Sequence, residues 1–192
     1  MGRLVFTYGV MGSSKTAQAL ITRYNYIQKG FKVLLAKPAV DTRFDNEERF
    51  VTSRIGIKAP CVVFSPNENM FYLYVKNFSY NKPNLVIIDE AQFLTEQQVN
   101  ELKALSKYVD VFCYGLKTNF KSELFEGSKR LVEIADELEE ITYICRCGKK
   151  ASINARFVNG KITNEGDEIL IGDTNYEGLC YNCWQKMLEE KK

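Results

Sequence analysis

Short apolar runs alternate with amphipathic stretches along most of the chain. The apolar runs predict strands at residues 3–8, 32–36, 61–64, 85–89, 111–114 and 140–144. The stretches between them have helical periodicity and predict helices over 15–29, 68–80, 95–107 and part of 124–138. Thr95 and Gln98 stand at the two positions of a capping box, which predicts the start of the third helix. Strands and helices that alternate in this way indicate an α/β fold with a doubly wound parallel sheet.

Two regions depart from this alternation. Residues 38–60 are polar, charged and rich in Arg and Asp, so we predict a long mobile loop there. From Cys145 onward the sequence predicts short β-strands on either side of Asn159-Gly160, a dipeptide that is a strong hairpin signal. An amphipathic tail follows over 184–192. We therefore place a domain boundary near residue 144, which divides a larger domain at 1–144 from a small one at 145–192.

A glycine-containing loop follows the first strand and leads into the first helix, with the sequence Gly9-Val10-Met11-Gly12-Ser13-Ser14-Lys15-Thr16. A phosphate-binding loop requires this context, because successive backbone amides and the helix dipole solvate phosphate oxygens. Lys15 would neutralise the terminal phosphates of a nucleoside triphosphate, and the Thr16 hydroxyl would ligate Mg²⁺. An ordinary glycine turn before a helix is the alternative interpretation.

Ser14 departs from the usual pattern of such loops, which have a glycine at this position. If position 14 requires a positive φ, a serine there costs on the order of 1 kcal/mol. A right-handed helical conformation would remove that cost.

Two carboxylates end the wholly apolar strand at 85–89, in the order Asp89-Glu90-Ala91-Gln92. The carboxyl ends of parallel strands meet at one edge of the sheet, so both side chains should lie beside the glycine loop. Asp89 would hold hydrated Mg²⁺ through water, and Glu90 would accept the proton of a nucleophile that attacks the γ-phosphate. The alternative is that the two carboxylates are merely solvated at the end of the strand and have no catalytic role. The same residues also fit a helicase-type ATPase, in which the glutamate activates water.

The amino-acid composition excludes several kinds of catalytic and binding site. The chain has no histidine, which excludes Ser-His and Cys-His nucleophiles and mixed Cys/His metal sites, so a carboxylate is the first candidate for a general base. The 26 basic and 24 acidic side chains leave a net charge of +2, without the electrostatic footprint of bulk nucleic-acid binding. No apolar run is long enough to span a membrane, and the first residues read as a strand instead of a signal peptide. We therefore expect a soluble cytoplasmic protein.

Four cysteines form two close pairs near the carboxyl end of the chain, Cys145 with Cys147 and Cys180 with Cys183. Two such pairs in a short β-rich segment are typical of a tetrahedral zinc–thiolate site, although the first pair is one residue shorter than the usual spacing. Four thiolates leave no open position on the metal, so the zinc would be structural. It would fix the two ends of the segment 151–179 as a tethered flap. Four buried free thiols are the alternative.

With these three features in this order, the chain resembles the zinc-containing, tetrameric thymidine kinases of bacteria and animal cytosol. The resemblance covers nearly the whole length. Its marks are Gly9 to Thr16, Lys37 to Arg43, Asp89 to Leu94, Tyr114 to Phe120, the cysteine pairs, Ile171-Gly172 and Tyr176. It implies a P-loop (RecA-like) kinase domain and a small carboxyl-terminal zinc-bound lasso domain that closes over the nucleoside.

The resemblance also implies a reaction and residue roles. The reaction is transfer of the ATP γ-phosphate to the 5′-hydroxyl of thymidine to give dTMP in nucleotide salvage, with deoxyuridine as a further substrate. Glu90 would be the base. The ATP–Mg²⁺ contacts would come from residues 9–16 and from Asp41, Thr42, Arg43, Asp89 and Gln92. The nucleoside contacts would come from Met11, Leu116, Phe120, Glu168, Ile169, Leu170, Ile171, Gly172 and Tyr176. The chain would form a homotetramer, and aromatic helices such as the one at 68–80 are candidates for its interfaces.

Three alternatives remain open at this point. The chain could be a kinase for another pyrimidine nucleoside, or a zinc-ribbon P-loop ATPase that acts on nucleic acid. It could also be a non-enzymatic zinc-ribbon module that binds nucleic acid. The near-neutral charge weighs against both nucleic-acid interpretations.

Overall fold

The computed structural model describes residues 2–39, 49–77, 84–166 and 175–190. A parallel sheet of six strands forms the centre of this part of the chain, in the order β5-β2-β6-β7-β1-β8. Its strands are β1 (Leu4–Tyr8), β2 (Val33–Pro38), β5 (Val62–Phe64), β6 (Leu85–Ile88), β7 (Asp110–Gly115) and β8 (Glu137–Glu140). Five of them coincide with the apolar runs. Four of the five are interior strands, which need apolar residues because both of their faces are buried.

Helices cover both faces of the sheet, which confirms the doubly wound architecture. They are α1 (Lys15–Gln28), α2 (Met70–Lys76), α3 (Glu96–Leu105) and α4 (Glu126–Ile134). Alternate strand residues point to opposite faces, so Leu4 and Phe6 pack with α2, α3 and α4, while Val5 packs with α1. The predicted capping box of α3 is confirmed, since Thr95 and Gln98 exchange hydrogen bonds with each other's backbone amides.

Two local predictions were wrong. Part of the supposed loop at 38–60 is a β-hairpin, in which β3 (Phe50–Thr52) pairs antiparallel with β4 (Lys58–Pro60) and buries Val51 and Ala59 against the α1 face. The sixth parallel strand is at 137–140 instead of 140–144. It is an exposed edge strand, so it lacks the apolar run by which buried strands are recognised.

The carboxyl-terminal part forms a small antiparallel sheet with a helix against it. The strands β9 (Ile153–Val158), β10 (Lys161–Thr163) and β11 (Tyr176–Leu179) pair in the order β10-β9-β11, and α5 spans Tyr181–Glu189. The predicted hairpin is confirmed, because Asn159 and Gly160 both have the positive φ of a type I′ turn. The core of this part includes Val10 of the glycine loop, so it packs directly on the larger part of the chain. The domain boundary near 144 stays a prediction.

No helix within the described ranges has the length and apolar character that crossing a membrane would require.

Candidate functional site

A cavity of about 270 Å³ opens at the carboxyl edge of the parallel sheet. The glycine loop, the ends of β2, β6 and β7, and the β3–β4 hairpin surround it. Its lining residues are Met11, Gly12, Ser14, Lys15, Thr16, Ala17, Lys37, Val51, Thr52, Ser53, Arg54, Ile55, Asp89, Glu90 and Leu116. The topology therefore brings together the loop and the two carboxylates that the sequence separates widely. Polar backbone, a lysine and two acids around one concave space are what phosphate chemistry requires.

The glycine loop closes on itself through its lysine. Lys15 Nζ donates a hydrogen bond to the Val10 carbonyl at 2.9 Å, and the Ser13 amide donates to the same carbonyl at 3.2 Å. Gly12 has a φ of 84° and Ser14 has a φ of 65°, both in the left-handed region. The serine at position 14 therefore carries the strain that a glycine would avoid, about 1 kcal/mol. It directly precedes the first residue of α1, so the amides at the start of the helix face the cavity.

Asp89 lies buried between the loop and the sheet. Thr16 Oγ1 is 3.5 Å from Asp89 Oδ1. The backbone amide of Asp89 donates a hydrogen bond to the Ala36 carbonyl at 3.0 Å. Burial, together with the neighbouring charge of Glu90, raises the pKa of the Asp89 carboxyl to about 7. The raised pKa means that the charged form of Asp89 is disfavoured in the free protein. A cation beside the carboxylate would stabilise that charged form, so the site favours positive charge.

Glu90 occupies a strained backbone position and is held by a buried amide. Its φ of 53° and ψ of 38° are left-handed, which is uncommon for a glutamate. Gln92 Nε2 donates to Glu90 Oε2 at 2.6 Å, while Gln92 Oε1 accepts from the Leu116 amide at 3.0 Å. A Cβ at Gly115 would lie 2.8 Å from that Oε1, so only glycine allows β7 to approach the amide. The geometry thus directs a half-buried carboxylate to the cavity and restrains its rotation.

Of the predicted nucleoside contacts, some line the cavity, some are buried or half-buried elsewhere and some lie outside the described residues. Met11 and Leu116 line the cavity. Phe120 is only 1% exposed, and the Arg156 guanidinium lies 4.8 Å from its ring centre. Tyr176 is half-buried on β11, paired with Arg156 of β9. The predicted contacts Asp41, Thr42, Arg43 and Glu168, Ile169, Leu170, Ile171, Gly172 lie outside the described residues.

Sequence reasoning missed several residues that line the cavity. Lys37 is buried at the end of β2, and Thr52, Ser53 and Arg54 belong to the hairpin at a position where the sequence predicts a loop. The β-branched residues around Gly56 were the available signal for that hairpin. The charged residues on either side favour a loop prediction and obscure this signal.

The four paired cysteines come together at the base of the small sheet. Their sulfur atoms all lie within 4.8 Å of one another, and Cys147 Sγ is 3.6 Å from the sulfurs of both Cys145 and Cys180. Zn–S bonds of about 2.3 Å at tetrahedral angles place sulfurs about 3.8 Å apart, so the donor set fits a zinc ion. Burial opposes ionisation of Cys145, but hydrogen bonds from the backbone of Cys147 and Cys180 lower the pKa of its thiol to about 6. Hydrogen bonding to the other thiols, Cys147 first, raises the pKa of Cys183 to about 12. The cluster therefore favours a thiolate at Cys145, the form that binds metal.

Comparison with known proteins gives one consistent result. The profile of the thymidine kinase family matches residues 2–184. A thymidine kinase of Enterobacteria phage T4 is 41% identical over 193 residues, which cover 99% of each chain. A thymidine kinase of Legionella pneumophila (strain Paris) is 40% identical, with 94% of this chain and 88% of the relative aligned. One from Shewanella oneidensis is 37% identical, over 94% of this chain and 95% of the relative. These matches favour a kinase over an ATPase that acts on nucleic acid and over a non-enzymatic module.

Proposed function

The chain belongs to the thymidine kinase family, and on that basis we propose that it transfers the γ-phosphoryl group of ATP to the 5′-hydroxyl of thymidine. The products are dTMP and ADP, as nucleotide salvage requires, and deoxyuridine is accepted as well. The observation that carries the proposal is that one cavity is lined by the lysine of a glycine loop and by a restrained glutamate. Phosphoryl transfer depends mainly on positioning and charge, and these two groups supply both.

The ATP half of the site is the glycine loop with its partners. Backbone amides at the start of α1 would surround the phosphates. The Lys15 ammonium has three N–H donors, so it would keep its bond to the Val10 carbonyl while it donates to phosphate oxygens. Thr16 and Asp89, whose oxygens are 3.5 Å apart, are the residues that would hold Mg²⁺, directly and through water respectively. When bound, the ion neutralises charge on the phosphates. Asp41, Thr42 and Arg43 are further candidates by resemblance, with Arg43 stabilising charge on the transferred group.

Glu90 is the proposed general base. Its carboxylate accepts from Gln92 Nε2, which orients the side chain toward the cavity where the substrate hydroxyl would bind. Gln92, predicted from resemblance as an ATP contact, is better suited to orienting this carboxylate, because both ends of its amide are bonded within the protein. The left-handed backbone of Glu90 then directs the side chain into the cavity instead of back along the strand.

The thymidine half of the site would combine the cavity wall with the segment at 168–172, which is assigned by resemblance. Met11 and Leu116 supply apolar contact from the cavity wall. By resemblance, Phe120 would pack on the thymine ring, which requires the Arg156 guanidinium to move away from the ring that it now covers. The backbone of residues 168–172 would read the base edge, with Tyr176 at the sugar. Closure of such a segment would exclude water, which otherwise competes as the phosphoryl acceptor.

Substrate selectivity tests this function directly. We expect transfer from ATP to thymidine and, more weakly, to deoxyuridine. Transfer to cytidine should be at least about a hundredfold slower, because a cytosine amino group leaves hydrogen-bonding groups of the base site unpaired. Phosphate transfer from labelled ATP, separated by chromatography, measures all three. Equal rates for cytidine and thymidine would contradict a thymidine kinase, and ATP hydrolysis stimulated by nucleic acid without any nucleoside product would replace the proposal.

The cysteine cluster is the proposed site of a structural Zn²⁺, held by Cys145, Cys147, Cys180 and Cys183. The first pair, although it is C-x-C, has its sulfurs 3.6 Å apart, a separation at which both would reach one zinc ion. The metal would join the start of the carboxyl-terminal sheet to the start of α5. It would thereby hold together a part of the chain whose core is small.

Removal of one zinc ligand gives a separate prediction. We expect the protein to contain one zinc per chain, and Cys180→Ser to lose it, because three thiolates bind the ion far more weakly than four. Elemental analysis of freshly purified protein measures the metal, and protease susceptibility near the cluster measures the loss of order. Cys113→Ser, a buried cysteine of β7 outside the cluster, is the matched control and should keep the metal. Freshly purified wild-type protein without zinc would refute the assignment.

Location and assembly follow the family by analogy. We propose a cytoplasmic enzyme, supported by six cysteines that form no disulfide, as is usual in a reducing compartment. We also propose a homotetramer. It is supported by exposed apolar side chains on the outer faces of two helices, Ile21 and Tyr24 on α1, and Tyr72 and Val75 on α2.

A further inference from the structure

Asn154 connects the carboxyl-terminal sheet to two segments beside the cavity. It lies on β9 and is only 3% exposed. Its Oδ1 accepts a hydrogen bond from the Met11 amide at 2.7 Å, and its Nδ2 donates to the Thr118 carbonyl at 2.7 Å. Met11 belongs to the glycine loop and Thr118 to the segment after β7. Both polar ends of the buried amide are therefore bonded to backbone groups of other segments, which allows one orientation of the side chain.

The bond to Met11 determines the direction of a carbonyl that holds the lysine. The Met11 amide and the Val10 carbonyl belong to one peptide group. The amide is bonded to Asn154, while the carbonyl accepts from Lys15 Nζ at 2.9 Å. Because the peptide group is planar, fixing the direction of its N–H fixes the direction of its C=O. Hydrogen bonding of the N–H also polarises the group and strengthens the carbonyl as an acceptor.

Apolar packing fixes the same peptide group. Val10 is buried in the core of the carboxyl-terminal part, together with Cys145, Ala155 and Leu179. A Cβ at Gly178 of β11 would lie 2.8 Å from Val10 Cγ2, so the strand approaches the loop as closely as a glycine permits. The small sheet thus holds the loop by a side chain and by a hydrogen bond at adjacent residues.

We propose that Asn154 is a positioning residue for nucleotide binding. Through it, the carboxyl-terminal sheet orients the Val10–Met11 peptide group and, with that group, the Lys15 ammonium. The inference rests on the proposed function, in which Lys15 binds the phosphates of ATP. It extends that function, because the zinc-held part of the chain then serves the ATP half of the site as well as the nucleoside half.

A double-mutant cycle tests this role. Asn154→Ala is combined with Lys15→Ala, and the affinity of each variant for a fluorescent ATP analogue is measured without nucleoside. In the wild-type background we expect Asn154→Ala to weaken binding about tenfold, the effect of losing one good hydrogen bond. In the Lys15→Ala background the same change should alter the affinity by less than about twofold, because the group that Asn154 positions is already absent.

The controls separate positioning from a general loss of structure. Ser152→Ala changes an exposed side chain two residues earlier and should leave the affinity unchanged. Asn154→Leu keeps most of the volume without the polar atoms, and it replaces Asn154→Ala in the cycle if the smaller side chain lowers the melting temperature below the assay range. An equal loss of affinity in both Lys15 backgrounds, or no loss in the wild-type background, would overturn the proposal. The titration contains no thymidine, so failure of transfer to thymidine with a normal cycle would count against the proposed function alone.

Discussion

Glu90→Gln should reduce the rate of phosphoryl transfer to thymidine by about a thousandfold while leaving the affinity for ATP nearly unchanged. A positioned general base contributes on the order of 10²–10⁴ to such reactions, and an amide cannot accept the proton. The substitution keeps the shape of the side chain and one carbonyl oxygen for the bond from Gln92 Nε2. The loss should therefore fall on kcat, because Glu90 acts on the substrate hydroxyl and does not hold the phosphates.

The matched control for this variant is Glu137→Gln. Glu137 is an exposed carboxylate on the edge strand β8, paired with Arg3 at 2.6 Å, far from the cavity lining. Its loss should leave kcat and both KM values unchanged. Steady-state kinetics with each substrate varied, together with nucleotide titrations, distinguish the two variants. Transfer by Glu90→Gln at the wild-type rate would show that another group accepts the proton.

Asp89→Asn should stabilise the free protein at pH 8 while reducing transfer by on the order of a hundredfold or more. Burial, followed by the charge of Glu90, raises the pKa of the Asp89 carboxyl to about 7, against about 4 in an unfolded chain. At a pH between these two pKa values, the folded chain retains a proton on Asp89 that the unfolded chain releases. The carboxyl therefore destabilises the fold, with no penalty below about pH 4 and the full penalty above about pH 7.

The penalty is on the order of 2–4 kcal/mol, so removing it should raise the melting temperature by about 5–10 °C at pH 8. The gain should shrink as the pH falls towards 5. Transfer is lost because the amide lacks the charge that would hold a hydrated cation beside Thr16. Calorimetry without nucleotide or metal measures the first effect, and the kinase assay measures the second.

Asp136→Asn is the control with the opposite sign. The Leu4 amide and the Lys103 ammonium bond the Asp136 carboxylate and lower its pKa. A lowered pKa adds stability above the unfolded value and loses it as the pH falls, so this variant should melt below wild type at pH 8. If Asp89→Asn also melted below wild type at pH 8, the buried carboxylate would not carry the expected penalty.

The parts of the fold that sequence could predict are those with a local cause. Buried parallel strands need unbroken apolar runs, and the capping box at Thr95 and the Asn159-Gly160 turn act within a few residues. The edge strand at 137–140 and the hairpin at 50–60 depend on what packs beside them, which no local pattern records. Polar sequence at an edge therefore lacks the apolar run that marks a buried strand.

The same distinction applies to the site. Asp89 and Glu90 could be predicted because both follow a buried strand, and the carboxyl ends of such strands share one edge. Lys15 and Thr16 follow from the loop pattern. Asn154 could not be found in this way, since its partner Met11 is 143 residues away and the pair forms only when the small sheet docks on the loop. Nor does any local pattern predict the left-handed backbone of Glu90.

The proposed mechanism requires Glu90 to reach the acceptor hydroxyl while triphosphate occupies the glycine loop. A crystal structure with thymidine and a non-hydrolysable ATP analogue measures that distance. We predict a Glu90 carboxylate oxygen within about 2.6–3.2 Å of the 5′-oxygen, and the γ-phosphate on the far side of that oxygen. A carboxylate turned away from the sugar, with the 5′-oxygen bonded to another basic group, would contradict the mechanism.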